Sequence, residues 1–184
     1  MSIINYWKGM MNLKIAVAAG HTLYGAGTGA VSGKFKESYI ARDITMHIVN
    51  ELKRKGHKVT ECTINSSGSQ SQYLKDQVQR ANNSGADLFL CVHLNACESH
   101  QGNGSEIYTW NGKEHKEAVK ILNNLKELGF KKRGIKSGNT FYVIKKTKMK
   151  AMLLEVFFLD NKHDQELYTK LGAERIGKAI ANSI

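Results

Sequence analysis

Short apolar runs alternate along this chain with segments in which apolar residues recur every three or four positions. A run such as residues 13–19 is typical of a strand buried on both faces, whereas the spacing of Ile40, Ile44 and Ile48 places them on one face of a helix. This alternation predicts a three-layer α/β fold: a twisted, mostly parallel (mixed) sheet with helices on both faces.

The individual elements follow from these two patterns. Strands are predicted over residues 13–19, 58–63, 87–92, 105–110, 140–145 and 151–157. Helices are predicted over residues 37–55, 71–83, 113–128 and 164–184, the last one interrupted near Gly172. Residues 1–12 do not continue the pattern, and we expect an N-terminal extension there, followed by one domain over residues 13–184.

Composition excludes several other classes of protein. Hydrophobic residues make up 41% of the 184 residues and charged residues 23%, and no apolar run approaches the roughly 20 residues of a membrane span. The chain has an odd and scattered set of three cysteines, which does not fit a disulfide framework: Cys62, Cys91 and Cys97. Residues 1–12 show no secretory signal, so we expect synthesis in the cytoplasm.

The chain is strongly basic, with 27 Lys and Arg residues against 16 Asp and Glu residues and a net charge of +11. Eight basic residues and no acidic one lie between Lys131 and Lys150. Such an excess favours an anionic partner, and a solvated basic face is the alternative. Nucleic acid is not the expected partner, because aromatic and basic residues are hardly interleaved.

Polar side chains with metal-binding chemistry stand where predicted strands end. His21 follows the first strand, His93 ends the third, and Glu37 begins the first helix after a Gly-rich loop. Ligands of such sheets bind at the carboxyl ends of the strands, which makes these residues candidates for one site. Two imidazoles, one carboxylate and an open position are a ligand pattern of catalytic zinc. The alternative is that the histidines are ordinary core or surface residues.

Glu155 is the most informative single residue, because its neighbours in the predicted strand are apolar. An unpaired buried carboxylate is costly, so Glu155 must be paired with a lysine, protonated or facing a cleft. A protonated or cleft-facing glutamate suits general acid or base catalysis. Asn95 is a candidate for turning the strand end or orienting a metal ligand. Glu106 either faces solvent on an edge strand or belongs to the site.

In combination, these residues resemble a known family. The motifs are Gly20-His21, the Gly-rich loop ending at Glu37, His93-Leu94-Asn95-Ala96, Gly104-Ser105-Glu106, and Leu153-Leu154-Glu155 followed by Phe158-Leu159-Asp160-Asn161. Their order resembles the zinc-dependent N-acetylmuramoyl-L-alanine amidases, which include bacterial autolysins and clostridial phage endolysins, over residues 13–184. One departure is Thr22-Leu23 after His21, where many members of the family have two glycines.

The resemblance implies that His21, Glu37 and His93 bind one Zn²⁺ per chain and that Glu155 is the catalytic glutamate. The substrate would be peptidoglycan, cut between the lactyl group of N-acetylmuramic acid and L-alanine of the stem peptide. Asn95 and Glu106 would support the metal or the substrate.

Two further expectations concern partners and location. The segment from Lys131 to Lys150 would attract anionic wall polymers, and the enzyme would reach the cell wall by release during phage lysis. Two alternatives to the amidase remain: another zinc peptidase acting on wall peptides, and a non-catalytic basic wall-binding domain. Zinc content and the new amino termini released from peptidoglycan distinguish these three.

Overall fold

A computed structural model of the chain describes residues 12–184, so the expected extension lies almost entirely outside the described residues. The main strands are β1 (Lys14–Ala19), β5 (Lys58–Glu61), β7 (Leu88–Asn95), β8 (Ser105–Thr109), β9 (Lys132–Ser137) and β10 (Lys150–Phe158). Four two-residue strands, β2 (Tyr24–Gly25), β3 (Val31–Ser32), β4 (Phe35–Lys36) and β6 (Ser66–Ser67), pair as β2 with β6 and β3 with β4.

The six main strands form one sheet in the order β5-β1-β7-β10-β8-β9. The first four of these strands are parallel to one another, β8 is antiparallel to β10, and β9 is parallel to β8. The predicted mixed, mostly parallel sheet is therefore confirmed.

Within residues 12–184, five α-helices cover the sheet: α1 (Glu37–Arg54), α2 (Gln70–Asn83), α3 (Lys116–Glu127), α4 (Tyr142–Lys146) and α5 (Lys162–Ala181). On one face, α1, α3 and α5 share a buried apolar cluster with Val17, Leu90 and Leu154 of the central strands. On the other face, α2 and α4 pack with Ala18 and Leu153. Adjacent residues of one strand thus enter opposite cores, which produces the three predicted layers. Among the described helices, none is both long and apolar enough to cross a membrane.

One predicted strand is wrong. Residues 140–145 are rich in aromatic and β-branched residues, which favour strands, but α4 forms there instead. Val143 and Ile144 on this short helix are buried and close the second core. The sequence pattern also misses β9, a strand at the sheet edge with a single apolar residue, Ile135. The interruption of the last helix at Gly172 is confirmed by a φ of 72°.

The parallel strands bring the candidate residues to one edge of the sheet. His93 on β7 lies beside Glu155 on β10, and Gly20 directly after β1 donates its N–H to the Val92 carbonyl over 2.8 Å. The β7–β10 register shifts between Glu155 and Phe158, a bulge of the kind that re-aims side chains next to functional sites. All three cysteines are free, as expected, and Cys62 and Cys91 are buried.

Candidate metal centre and cleft

His21, Glu37 and His93 converge, each offering one ligand atom within 4.8 Å of the others. The two oxygens of the Glu37 carboxylate are divided between the two rings. Oε2 lies 3.1 Å from Nε2 of His21, and Oε1 lies 3.2 Å from Nδ1 of His93. The structure therefore brings together all three residues that the sequence identified as candidate ligands.

Backbone geometry at the end of β1 sets the position of His21. Its φ is 61°, a left-handed conformation that is uncommon for a residue other than glycine and typical of constrained functional sites. Its Nδ1–H donates to the Gly27 carbonyl over 3.0 Å. That hydrogen bond leaves Nε2, the atom facing Glu37, with a lone pair for a metal.

Glu37 is buried at the first position of α1, where the helix N-terminus favours a negative charge. Its oxygens also accept hydrogen bonds from the backbone N–H groups of Ala30 and Leu94. Burial opposes ionisation of Glu37, but the adjacent imidazoles of His21 and His93 hold the pKa of Glu37 well below its ordinary value. The site thus combines an ionised carboxylate with two imidazoles, a donor set that fits Zn²⁺.

Glu155 lines the same cleft. A cavity of about 260 Å³ is walled by the three candidate ligands, by Glu155 and by an apolar group comprising Tyr73, Leu74, Phe141, Tyr142 and Val143. Oε2 of Glu155 is buried and has no hydrogen-bond partner, and none of the ion pairs found within residues 12–184 involves Glu155. The lysine-paired alternative is therefore not observed, and the cleft-facing one is.

The surroundings of Glu155 favour its neutral form. Burial and then the nearby Glu37 and Glu106 carboxylates raise the pKa of Glu155 well above its ordinary value. A carboxyl group with a raised pKa takes up and releases a proton more readily than one that stays ionised, which suits general acid–base catalysis.

Asn95 and Glu106 contact each other beside this cleft. Nδ2 of Asn95 donates to Oε1 of Glu106 over 2.8 Å, and Asn95 also lines the cavity. Glu106 is buried, so the expectation that it faces solvent on an edge strand is wrong. The reason is topological: β9 pairs outside β8 and places Glu106 inside the sheet.

The sequence did not reveal the role of Arg42, because an arginine on an amphipathic helix usually faces solvent. Its guanidinium donates to the backbone carbonyls of Ser38 at 2.7 Å, Ile64 at 2.8 Å and His21 at 3.0 Å. Arg42 thereby ties the segment that carries His21 to helix α1 and to the loop after β5. Only the tertiary structure shows this connection.

Comparison with known proteins agrees with this geometry. A family model described as N-acetylmuramoyl-L-alanine amidase matches residues 15–184. An uncharacterized protein of Clostridium perfringens strain 13 is 34% identical over 182 residues, covering 94% of this chain and 51% of that protein. The N-acetylmuramoyl-L-alanine amidase CwlM of Bacillus licheniformis is 28% identical over 180 residues, covering 94% of this chain and 67% of that protein.

Among solved structures, the catalytic domain of the CD27L endolysin targeting Clostridia difficile superimposes with a TM-score of 0.82 at 30% identity. The alignment covers 93% of this chain and 96% of that domain. The chain spans about half the length of the Clostridium perfringens relatives it matches.

The absence of a side chain at Gly20 is required for the His93 ring to occupy its position. A Cβ added at Gly20 would lie 2.2 Å from Cε1 of His93. We expect Gly20→Ala to displace the imidazole and to weaken Zn²⁺ binding about 10- to 100-fold, as for other changes that misorient a metal ligand. Zinc titration by calorimetry checks this, with circular dichroism as the test of folding. Gly68→Ala, where an added Cβ meets nothing within 4 Å, is the control. Equal zinc affinity of the two variants would contradict the argument.

Proposed function

Because the chain belongs to the N-acetylmuramoyl-L-alanine amidase family, we propose that it hydrolyses the amide between the lactyl group of N-acetylmuramic acid and L-alanine in peptidoglycan. One observation carries the proposal: three candidate metal ligands converge in the same cleft as a buried carboxyl group that has an unpartnered oxygen. The family match over residues 15–184 supports the choice of bond.

We further propose that His21, Glu37 and His93 hold one Zn²⁺. Zinc, when bound, polarises the carbonyl of the scissile amide and lowers the pKa of water toward about 7. The hydrogen bond from His21 to Gly27 supports this assignment, since it orients the ring with Nε2 toward the other two candidates.

Glu155 serves as the general base and then as the general acid. Its carboxylate accepts a proton from the water that attacks the carbonyl carbon. The same carboxyl group then donates that proton to the amide nitrogen as the carbon–nitrogen bond breaks, because an amine cannot leave as an anion. The products are the lactyl carboxylate and a peptide with a free L-alanine amino terminus. The apolar wall of the cleft keeps the Glu155 pKa high enough for the second step.

Part of the basic segment from Lys131 to Lys150 is available to anionic wall polymers. Arg133 and Lys136 are paired with Glu106, and Lys150 is paired with Glu117. Within this segment, the exposed basic side chains without an ion pair are those of Lys131, Lys132, Lys145, Lys146 and Lys148. We propose that these lysines hold the enzyme on the wall, and the likeness to an endolysin catalytic domain supports action there during phage lysis.

Digestion of purified peptidoglycan is the primary test of the activity. New L-alanine amino termini should appear with the zinc-loaded protein, disappear after treatment with a chelator, and return when Zn²⁺ is added back. Amino-terminal labelling of the products provides the measurement. New termini other than L-alanine would indicate a peptidase in place of an amidase. Cleavage that persists in the chelator would contradict the proposed need for a metal.

The two roles in the cleft are separable by substitution. Glu155→Gln should keep zinc and lose about 10²- to 10⁴-fold in kcat, the usual contribution of a general acid–base group. His93→Ala should lose zinc itself, which metal analysis of the purified variants detects. Glu166→Gln removes a carboxylate from an exposed position on α5 and should leave both properties unchanged. Normal turnover of the Glu155→Gln enzyme would contradict the assignment of Glu155 as the general base and acid.

Binding to the wall should weaken as salt rises from about 50 mM to about 500 mM, because exposed charges are screened over a few ångströms at high ionic strength. Replacing Lys145, Lys146 and Lys148 together by Gln should reduce binding at low salt, measured by sedimentation with purified walls. Replacing Lys14, Lys58 and Lys170 by Gln gives the same loss of charge on other exposed positions. Equal binding of the two triple variants would count against the proposal.

A further inference from the structure

Glu106 is the centre of a polar network beside the cleft. Its side chain is 2% exposed and accepts four hydrogen bonds. Oε2 accepts hydrogen bonds from Nε of Arg133 and from Nζ of Lys136, each with a donor–acceptor distance of 2.6 Å. Oε1 accepts from the Tyr108 hydroxyl over 2.7 Å and from Nδ2 of Asn95 over 2.8 Å. One buried carboxylate thus holds two cations in fixed positions.

The network lies in a row that starts at the catalytic cleft. His93, Glu155, Glu106 and Gly134 are cross-strand neighbours on β7, β10, β8 and β9. Neighbouring strands are about 4.8 Å apart, so the position of Gly134 lies roughly 10 Å from that of Glu155. A Cβ added at Gly134 would meet nothing within 4 Å, so the row ends in open space. The two cations flank this space from positions 133 and 136.

Both cations can donate further hydrogen bonds. Arg133 is 27% exposed and Lys136 is 40% exposed, so each reaches solvent. Within residues 12–184, Lys136 donates to Glu106 alone, and Nη2 of Arg133 has no acceptor. The rings of Phe158 and Tyr108 lie under the two charged groups, at 4.7 and 5.9 Å. The Glu106 carboxylate and the two rings thus position the cations, and donors of both remain without an acceptor.

The charges favour an anion at this position. Two cations share one ionised carboxylate, Glu106, whose burial is outweighed by the hydrogen bonds from Lys136 and Arg133, so that its pKa is lowered. A carboxylate approaching from solvent would therefore meet two cations that share a single carboxylate, and N–H donors of both that have no acceptor.

We propose that Arg133 and Lys136 bind a free carboxylate of the stem peptide, one residue beyond the L-alanine that is released. This proposal rests on the proposed amidase function. The residue after L-alanine in a stem peptide is D-glutamate joined through its side-chain carboxyl, so its α-carboxylate is free unless it is amidated. Two residues span at most about 7 Å, which covers the spacing of roughly 5 Å between Glu155 and Glu106, the residue that both cations contact. The site would then distinguish walls with a free carboxylate from walls with an amide there.

The test compares two synthetic substrates with two enzyme variants. The substrates are N-acetylmuramoyl-L-alanyl-D-isoglutamyl-L-lysine and its isoglutamine counterpart, which differ only in that carboxylate. The wild-type protein should cleave the acid with a kcat/KM about 10- to 100-fold higher than the amide, as expected for a charge-assisted hydrogen bond. Lys136→Met should reduce this ratio to near one, and Lys136→Arg should restore most of it. Lys170→Met, which removes an exposed charge elsewhere on the surface, should keep the wild-type ratio.

Each result has a definite meaning. An acid-to-amide ratio near one for the wild-type protein would overturn the proposal. A Lys136→Met enzyme that loses activity equally on both substrates would also overturn it, because that outcome assigns Lys136 to supporting Glu106 only. If neither substrate releases an L-alanine amino terminus with the zinc-loaded wild type, the amidase function itself fails. Cleavage of both substrates at the expected bond, without preference, leaves the function standing and removes only this site.

Discussion

The bridging carboxylate of Glu37 is the interaction on which the site depends. It occupies the N-terminus of α1 and accepts hydrogen bonds from two backbone N–H groups. It also contacts the imidazoles of His21, which follows β1, and His93, which lies on β7. Each of these contacts requires a different part of the fold to be in place. A charge buried so completely is tolerated because all of its partners arrive together, which links the position of a helix to the chemistry of the cleft.

Much of the site was predictable from the sequence, because its position follows from the direction in which the strands run. Apolar strands that end in His21 and His93 must bring these residues to one sheet edge if the strands are parallel, and Glu155 stood out as a carboxylate among apolar neighbours. Helix α4 was missed because its aromatic and β-branched residues resemble a strand, and tertiary packing outweighed that preference. The roles of Arg42 and Glu106 depend on partners distant in the sequence, for which no local pattern exists.

Two neighbouring carboxyl groups show how the same side chain acquires opposite properties. Glu106 and Glu155 are paired across β8 and β10, and both are withdrawn from solvent. Glu106 accepts four hydrogen bonds, two of them from cations, whereas one oxygen of Glu155 has no partner. The first environment favours a permanent charge and the second favours a mobile proton. In the proposed mechanism, one cross-strand pair would therefore supply both a fixed anion and a proton carrier.

The separation of the three candidate ligands along the chain has a consequence for folding. His93 and Glu37 are 56 positions apart, and His21 belongs to yet another segment, so no fragment of the chain contains a preassembled chelate. An ion that binds the native protein would find no comparable site in the denatured chain. By mass action it would therefore stabilise the native state, as a reversible cross-link between the segment after β1, α1 and β7. Metal supply would then regulate the lifetime of the enzyme as well as its turnover.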